Sequence, residues 1–374
     1  MKIACIDRYR FRLPFIRPLC VGREILPVRE GFILALTDSD GRTGYGEIAP
    51  LPGFDKTTLE RCFRDLSTLP EILNHVDLRY DRFDLTAPLL GLLSVSVSGT
   101  SHTLFGIESA LLGLCLQHGS AGPSGAFHHF PETLRVPVNG LFIPDSGDEG
   151  FARQVRYLRE SGMKTVKVKI GRLPVDEEIR QILDLCARMG NELVLRLDGN
   201  RNLSADTYRR YREALGHLVV EYVEEPLREG ELAAVGEKAP WPLALDESLT
   251  GLLDRSEPRP SRLSPEVRTI ILKPGLLMGL HAMARCIADA NQAGIQTVLS
   301  SAFNTGLTLA ILGLFARLAA LPPGTAHGFD TLHYQADNVL SEPPVIREGM
   351  LLISRELVSG GWRLNHRCMQ KEPG

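Results

Sequence analysis

The sequence lacks the features that mark several common function classes. Its seven cysteines (Cys5, Cys20, Cys62, Cys115, Cys186, Cys286 and Cys368) are odd in number, widely spaced and without a CxxC pair. That pattern excludes a disulfide framework and a zinc ribbon, and the apolar company of residues such as Cys115 marks buried structural thiols. No charge of one sign dominates: the formal net charge is -3 over 374 residues, so no basic surplus argues for nucleic acid or anionic lipid. No long apolar run occurs either. The most apolar helical stretch, 307–321, contains Arg317 and falls short of the ~20 residues a membrane span needs. The opening segment carries Lys2, Asp7, Arg8, Arg10 and Arg12, which a secretory apolar region would not tolerate. A reducing cytoplasm is the expected compartment. Also missing are HExxH, GxSxG and a phosphate-binding loop, and Gly44 with Gly46 gives GxG without a third glycine. The ten histidines are scattered, with His128 and His129 adjacent in a loop, and Trp241 and Trp362 stand alone.

What is present is an ordinary globular composition, 44% hydrophobic and 23% charged, with a change of rhythm along the chain. Residues 2–12 have strand character, and 31–37 with 42–48 flank the turn-rich Asp38-Ser39-Asp40-Gly41, as a hairpin does. Helical spacing follows near 57–69 and 102–117; residues 76–100 fit neither period. The loop 120–131 marks the expected domain boundary. Beyond it, apolar runs of strand length recur at 136–140, 165–170, 192–198, 219–224, 242–246, 267–273, 296–301 and, weakly, 326–330. Most alternate with amphipathic stretches of helical length. Eight strands alternating with helices predict a (β/α)₈-type barrel rather than a doubly wound sheet, whose glycine-rich first turn is absent. No helix follows the eighth run. Instead the chain passes Pro343 and Pro344 into 345–353, an expected strand that leaves the barrel for the N-terminal part. The expected division is a capping part at 1–131, a catalytic barrel at 132–335, and a segment at 336–374 that returns to the cap.

The informative residues end the barrel strands. Lys169, Asp198, Glu224, Asp246 and Lys273 are separated by 29, 26, 22 and 27 residues, about one β/α unit each. The C-terminal rim of barrel strands is where active sites assemble. Strand parity turns Lys167 and Lys169 toward the barrel axis, with Val166, Val168 and Ile170 against the helices, and puts Arg196 inside with Asp198. The second and sixth strands face each other across the barrel, so lysines stand on opposite walls with three carboxylates between them. One acidic residue at a strand end is as often a helix cap as a ligand. Five ionisable residues in register are hard to explain as caps.

Three converging carboxylates repel one another and call for a cation. Oxygen donors without His or Cys describe a Mg²⁺ site, with Mn²⁺ as a substitute, rather than zinc. A metal between lysines suits removal of a proton α to a carboxylate. The enediolate so formed needs positive charge at its oxygens, and the base needs its pKa drawn toward neutrality, to which a second lysine contributes. Asp198-Gly-Asn-Arg-Asn202 resembles the start of an EF-hand loop, but Leu203 and Arg209 stand where glycine and glutamate are required.

On the segments VKVKIG (166–171), LRLDGNR (195–201), EYVEEP (221–226), LALDES (243–248), ILKPG (271–275) and SSAFNTG (300–306), the sequence resembles the enolase superfamily. With GYGEIAPLPGF (44–54) and GFDTL (328–332), it resembles within that superfamily the o-succinylbenzoate synthases of menaquinone biosynthesis. The resemblance implies a modified (β/α)₇β barrel with an α+β capping domain. It implies Asp198, Glu224 and Asp246 as Mg²⁺ ligands, Lys169 as base and then acid, Lys273 as the opposing cation, and Asn200 in support of the metal site. Ser300 and Ser301 would bind the succinyl carboxylate. The implied reaction is a hydro-lyase step, the syn dehydration of 2-succinyl-6-hydroxy-2,4-cyclohexadiene-1-carboxylate. Cap segments 15–30 and 50–54 would be lids; for Arg17, Arg23 and Arg29, substrate contact and plain solvated charge are both open. Two other functions stay open beside the synthase: an N-succinylamino acid racemase or dipeptide epimerase on the same framework, and a non-catalytic protein that binds metal or carboxylate. The only expected partner is a small-molecule carboxylate, with no nucleic acid and no membrane; the oligomeric state is not legible.

Overall fold

The computed structural model describes residues 2–22, 24–54, 56–74, 76–78, 97–118, 131–145, 147–228, 241–253, 258–276 and 279–372. The expected boundary loop lies outside the described residues except for Pro131, as do Arg23, His128, His129 and most of 76–100.

The cap is built on a long antiparallel ribbon, β1 (Ile3–Val21) and β2 (Glu24–Asp38), to which β3 (Thr43–Ile48) adds through the expected hairpin. Asp38 makes that turn by accepting from the backbone N–H groups of Asp40 and Arg42 at 2.9 and 3.0 Å. β1 runs well past the expected residue 12. Its pairing slips between Pro14 and Leu19, where proline has no N–H to offer the ladder, and then resumes to the tip. Helix α1 (Leu59–Leu73) starts at Thr58, whose hydroxyl accepts from Arg61 N–H, and continues through Pro70. The Leu66 carbonyl, which a residue with an N–H at position 70 would have satisfied, accepts from Arg8 Nη1 at 3.3 Å. Helix α2 (Ser101–Gln117) is buried from His102 to Leu116, Leu104 excepted, and lies on β3. A Cβ at Gly44 or Gly46 would collide with the carbonyls of Ala110 and Gly106, so the GxG pair is a packing device.

The barrel strands are β5 (Gly140–Phe142), β6 (Thr165–Lys169), β7 (Val194–Asp198), β8 (Val220–Glu224), β9 (Leu243–Leu245), β10 (Val267–Leu272) and β11 (Gln296–Leu299). They form one parallel sheet in chain order. Between them run α3 (Asp148–Glu160), α4 (Val175–Met189), α5 (Ala205–Leu215), the single turn α6 (Leu249–Leu252) and α7 (Leu280–Gln292); α8 (Gly306–Leu318) follows β11. The weak eighth run forms no strand of its own. His327 and Gly328 close the ring through single bridges: His327 N–H to Pro137 O at 2.8 Å, and Gly328 N–H to Leu299 O at 2.8 Å.

Two expectations are corrected here. The first barrel strand is 140–142, not 136–140, because β4 (Thr133–Pro137) pairs elsewhere. The segment 345–353 is also not one strand. Glu348 and Gly349, both at positive φ, turn it into a hairpin of β12 (Val345–Arg347) and β13 (Met350–Ser354), and β13 pairs with β4. Beyond the short α9 (Arg355–Val358), Trp362 packs on Tyr45 of the cap, and β14 (Met369–Lys371) joins the cap sheet by pairing with β1 at Tyr9–Phe11. The three-stranded sheet, α9 and β3 together cover α8, which explains that helix's apolar surface on every side. No helix among the described residues is long and apolar enough to cross a membrane.

Candidate active site

Of the strand-end residues, Lys169 and Lys273 line one cavity of about 440 Å³ at the C-terminal rim of the barrel, together with Lys167, while Asp198, Glu224 and Asp246 are buried against these lysines. The β6–β7–β8 register sets Lys169 beside Asp198 and Asp198 beside Glu224. Lys169 Nζ donates to Asp198 Oδ2 at 2.5 Å and to Asn200 Oδ1 at 2.8 Å. Lys167 Nζ, one layer deeper, lies 2.7 Å from Asp198 Oδ2 and donates to both Glu224 oxygens at 2.6 and 2.7 Å. On the opposite wall Lys273 pairs with Asp246, and its Nζ lies 4.0 Å from the centroid of the Phe54 ring. Phe54 belongs to the cap segment 50–54. With Leu19, Cys20, Val21 and Gly22 from the ribbon tip, it brings the cap to the cavity mouth.

Asp198, Glu224 and Asp246 are fully buried, and that sets their electrostatics. Burial alone would disfavour charge on Asp198, but Lys167 and Lys169 hold its carboxyl well below the usual carboxylate range. Glu224 moves the other way: burial and the negative charges of Asp198 and Asp246 outweigh Lys167 and raise it. Lys167 resists the effect of burial because Asp198, Glu224 and Asp246 surround it, and it remains protonated. Among the described residues no three His, Cys, Asp or Glu side chains are drawn together as a ready metal cage. The carboxylates are tied to lysines instead. Asp246 Oδ1, however, is buried without a hydrogen-bond partner, and so is Glu247 Oε2.

Two acidic residues that the strand-end spacing passed over prove to be structural parts of this site. Glu225, at a positive φ of 40°, accepts from the backbone N–H groups of Asp246 and Ser248 at 2.8 Å each and from the Ser248 hydroxyl at 2.7 Å. It therefore fixes the backbone that presents Asp246. Glu247 lines the cavity and accepts from Asn200 Nδ2 at 2.9 Å, which makes Asn200 a bridge between Glu247 and Lys169. Strand-end spacing does not single out Glu225, which directly follows Glu224 and so has the opposite parity. Arg196, in register with Lys167 on the neighbouring strand, is buried and donates to Glu221, Asn139 and the Ala326 carbonyl. Behind Lys169, buried Glu178 accepts from the N–H groups of Gly171, Arg172 and Leu173 at 2.7 Å each.

Ser300 and Ser301 line the cavity wall that follows β11; the Ser301 hydroxyl is 2.6 Å from the Thr331 hydroxyl. Arg29 is neither a solvated charge nor a cavity residue. It is buried, donating to the carbonyls of Ala49, Pro50 and Phe303. Arg17 is exposed and does not line the cavity. Arg172 and Arg201, which no sequence argument singled out, stand on the cavity lining.

Comparison with known proteins agrees with this geometry. Residues 150–357 match the family described as Enolase C-terminal domain-like, and residues 3–79 match the N-terminal domain of MenC. The o-succinylbenzoate synthase of Edwardsiella ictaluri (strain 93-146) is 30% identical over 87% of this chain and 89% of its own length. Protein PHYLLO, chloroplastic, of Arabidopsis thaliana is 27% identical over 89% of this chain, which spans only 21% of that protein. Muconate lactonizing enzyme from Pseudomonas fluorescens, solved with muconolactone, superposes with a TM-score of 0.77 at 21% identity, covering 99% of both chains. The dipeptide epimerase of Methylococcus capsulatus, solved with Mg and the dipeptide L-Arg-D-Lys, gives 0.74 at 20% identity, covering 95% of this chain and 98% of its own. At such identities the solved structures speak for the fold alone. A modified TIM barrel with its capping domain, and a family model spanning more than half the chain, place this protein in the enolase superfamily, in the family of the o-succinylbenzoate synthases.

Proposed function

We propose that the chain is an o-succinylbenzoate synthase. It would convert 2-succinyl-6-hydroxy-2,4-cyclohexadiene-1-carboxylate to 2-succinylbenzoate by Mg²⁺-dependent syn dehydration, in menaquinone biosynthesis in the cytoplasm. The observation that carries this reading is the pair Lys169 and Lys273 on opposite walls of one cavity, with Asp198, Glu224 and Asp246 buried and paired to its lysines. The donor set fits a hard divalent cation: three carboxylates on adjacent strands, with Asp246 Oδ1 buried and lacking a partner. Asp198, Glu224 and Asp246 would hold it. When bound, Mg²⁺ supplies positive charge for the substrate's ring carboxylate.

The chain's own residues would do the rest. Lys169 Nζ takes the ring proton α to the carboxylate, and Lys273, as a cation, opposes the negative charge that develops on the other face. The proton gained by Lys169 is returned to the departing hydroxide on the same side, so that one water leaves and the ring becomes aromatic. Asn200 holds Lys169 in place from the side of Glu247. Ser300 and Ser301 would receive the succinyl carboxylate.

A spectrophotometric dehydration assay, with and without EDTA, tests this. Activity should vanish with EDTA and return with Mg²⁺, and Mn²⁺ should also restore it. Lys169→Ala should lower kcat by roughly 10²–10⁴-fold, the usual worth of a general acid–base group. A lysine on each face also suits racemisation or epimerisation. Deuterium entering an N-acyl amino acid or a dipeptide in D₂O, with no dehydration, would replace the synthase with that activity. Absence of both turnovers alongside Mg²⁺ binding would leave a non-catalytic binding protein.

A further inference from the structure

The cavity wall that follows β11 is not held by the barrel alone. Residues 300–305 include Phe303, at a φ of 55° that a non-glycine side chain rarely adopts and that needs support from its surroundings. Its carbonyl accepts from Arg29 Nε at 3.1 Å and from Gln335 Nε2 at 2.8 Å. The same guanidinium reaches the Ala49 carbonyl and, at 2.7 Å, that of Pro50, at the start of the cap segment ending in Phe54. One planar fork thus ties the barrel wall to the cap loop that lies over Lys273.

A second buried charge works beside it. Glu47, on β3 and 1% exposed, accepts from Asn304 Nδ2 at 2.9 Å, Thr305 N–H at 3.1 Å, Thr305 Oγ1 at 2.7 Å and Thr308 Oγ1 at 2.7 Å. This carboxylate from the cap sheet caps the N-terminus of the barrel helix α8, where negative charge is favoured. Asn304, gripped from one side, accepts the Ala302 N–H at 3.0 Å on the other, which shapes the backbone between Ser301 and Phe303. Ser300, Ser301, Ala302 and Phe303 all line the cavity, whereas Glu47 and Arg29 do not.

We propose that Arg29 and Glu47 are positioning residues: the cap uses them to set the 300–305 wall, and through it the binding of the distal end of the substrate, while leaving the lysine chemistry untouched. Only the identity of that substrate rests on the synthase reading. A group acting in this way raises KM and leaves kcat nearly constant, since it serves binding alike in the ground and transition states.

The experiment compares wild type with Arg29→Gln, Glu47→Ala and Glu47→Gln by steady-state dehydration and by hydrogen–deuterium exchange. Expected is a rise in KM of about tenfold or more for Arg29→Gln and Glu47→Ala, with kcat within about threefold. Exchange should accelerate in peptides covering 299–306 while those covering 165–169 keep wild-type protection. Glu47→Gln, which retains one acceptor oxygen, should recover part of that protection. Unchanged KM together with unchanged exchange at 299–306 would overturn the proposal. So would a loss of protection spread equally over 165–169, because the two residues would then serve the fold at large. If wild type itself fails to dehydrate the substrate, the synthase reading falls, and the exchange comparison still decides on the wall.

Discussion

At the scale of single residues, the site follows from parity and burial. Lys167 and Lys169 sit two apart on one strand and so share a face, and the pairing register places Asp198 and Glu224 beside them. This much was legible because strand geometry is local and periodic. The braces were not. Glu225 lies outside the strand-end spacing, and only the three-dimensional path of β9 brings the Asp246 and Ser248 N–H groups to its carboxylate. Removing that acceptor strips three donors of their partner, the buried Asp246 N–H among them, and frees the backbone under Asp246. If Asp246 is a ligand of the proposed Mg²⁺ site, Glu225→Ala should therefore weaken Mg²⁺ binding by about 10–100-fold, the usual cost of losing a residue that orients a ligand. Glu225→Gln, which keeps an acceptor, should retain most of the affinity. Calorimetric titration with Mg²⁺ checks this, and equal affinities for wild type and Glu225→Ala would reject the brace.

At the scale of elements, alternation of strand and helix was legible but partnership was not. Residues 136–140 have the apolar pattern of a barrel strand, yet Val136 and Pro137 pair with β13, more than two hundred residues further on. Periodicity reports which face is buried, not what covers it. For the same reason the GxG of β3 carried no meaning until α2 was seen lying on it. Gly46→Ala would push a methyl group into the Gly106 carbonyl, and helix and strand must then separate. Overpacking of this kind costs about 1–3 kcal/mol. A lower urea midpoint with an unchanged slope is the expected result, whereas Gly41→Ala, where nothing lies within 4 Å, would be strained only by its positive φ.

At the scale of the whole molecule, cap and barrel share one continuous apolar core, with Leu34, Ile107 and Leu114 in contact with a cluster that extends to Val166 and Leu272. Where they meet, Glu108 of α2 is buried and faces the start of α7, accepting from His281 N–H at 3.2 Å. Burial pushes its carboxyl up to about 7 from an ordinary 4.5, against the pull of the His281 and Leu280 N–H groups. A carboxyl that holds its proton more tightly when folded adds stability that is full below pH 4.5 and is lost as the pH rises to about 7. Glu108→Gln should thus flatten the fall in denaturation midpoint between about pH 5 and pH 8. Parallel profiles for the two proteins would count against it.

The return of β14 to β1 has a consequence during synthesis. β1 is made long before β14, and its outer edge at Tyr9–Phe11 gains that partner only when residues 369–371 have emerged from the ribosome. Until then that edge offers open backbone groups to any neighbouring strand. Cap assembly is therefore a late event, and nascent chains of this protein should depend on chaperones more than a barrel of local β/α units would.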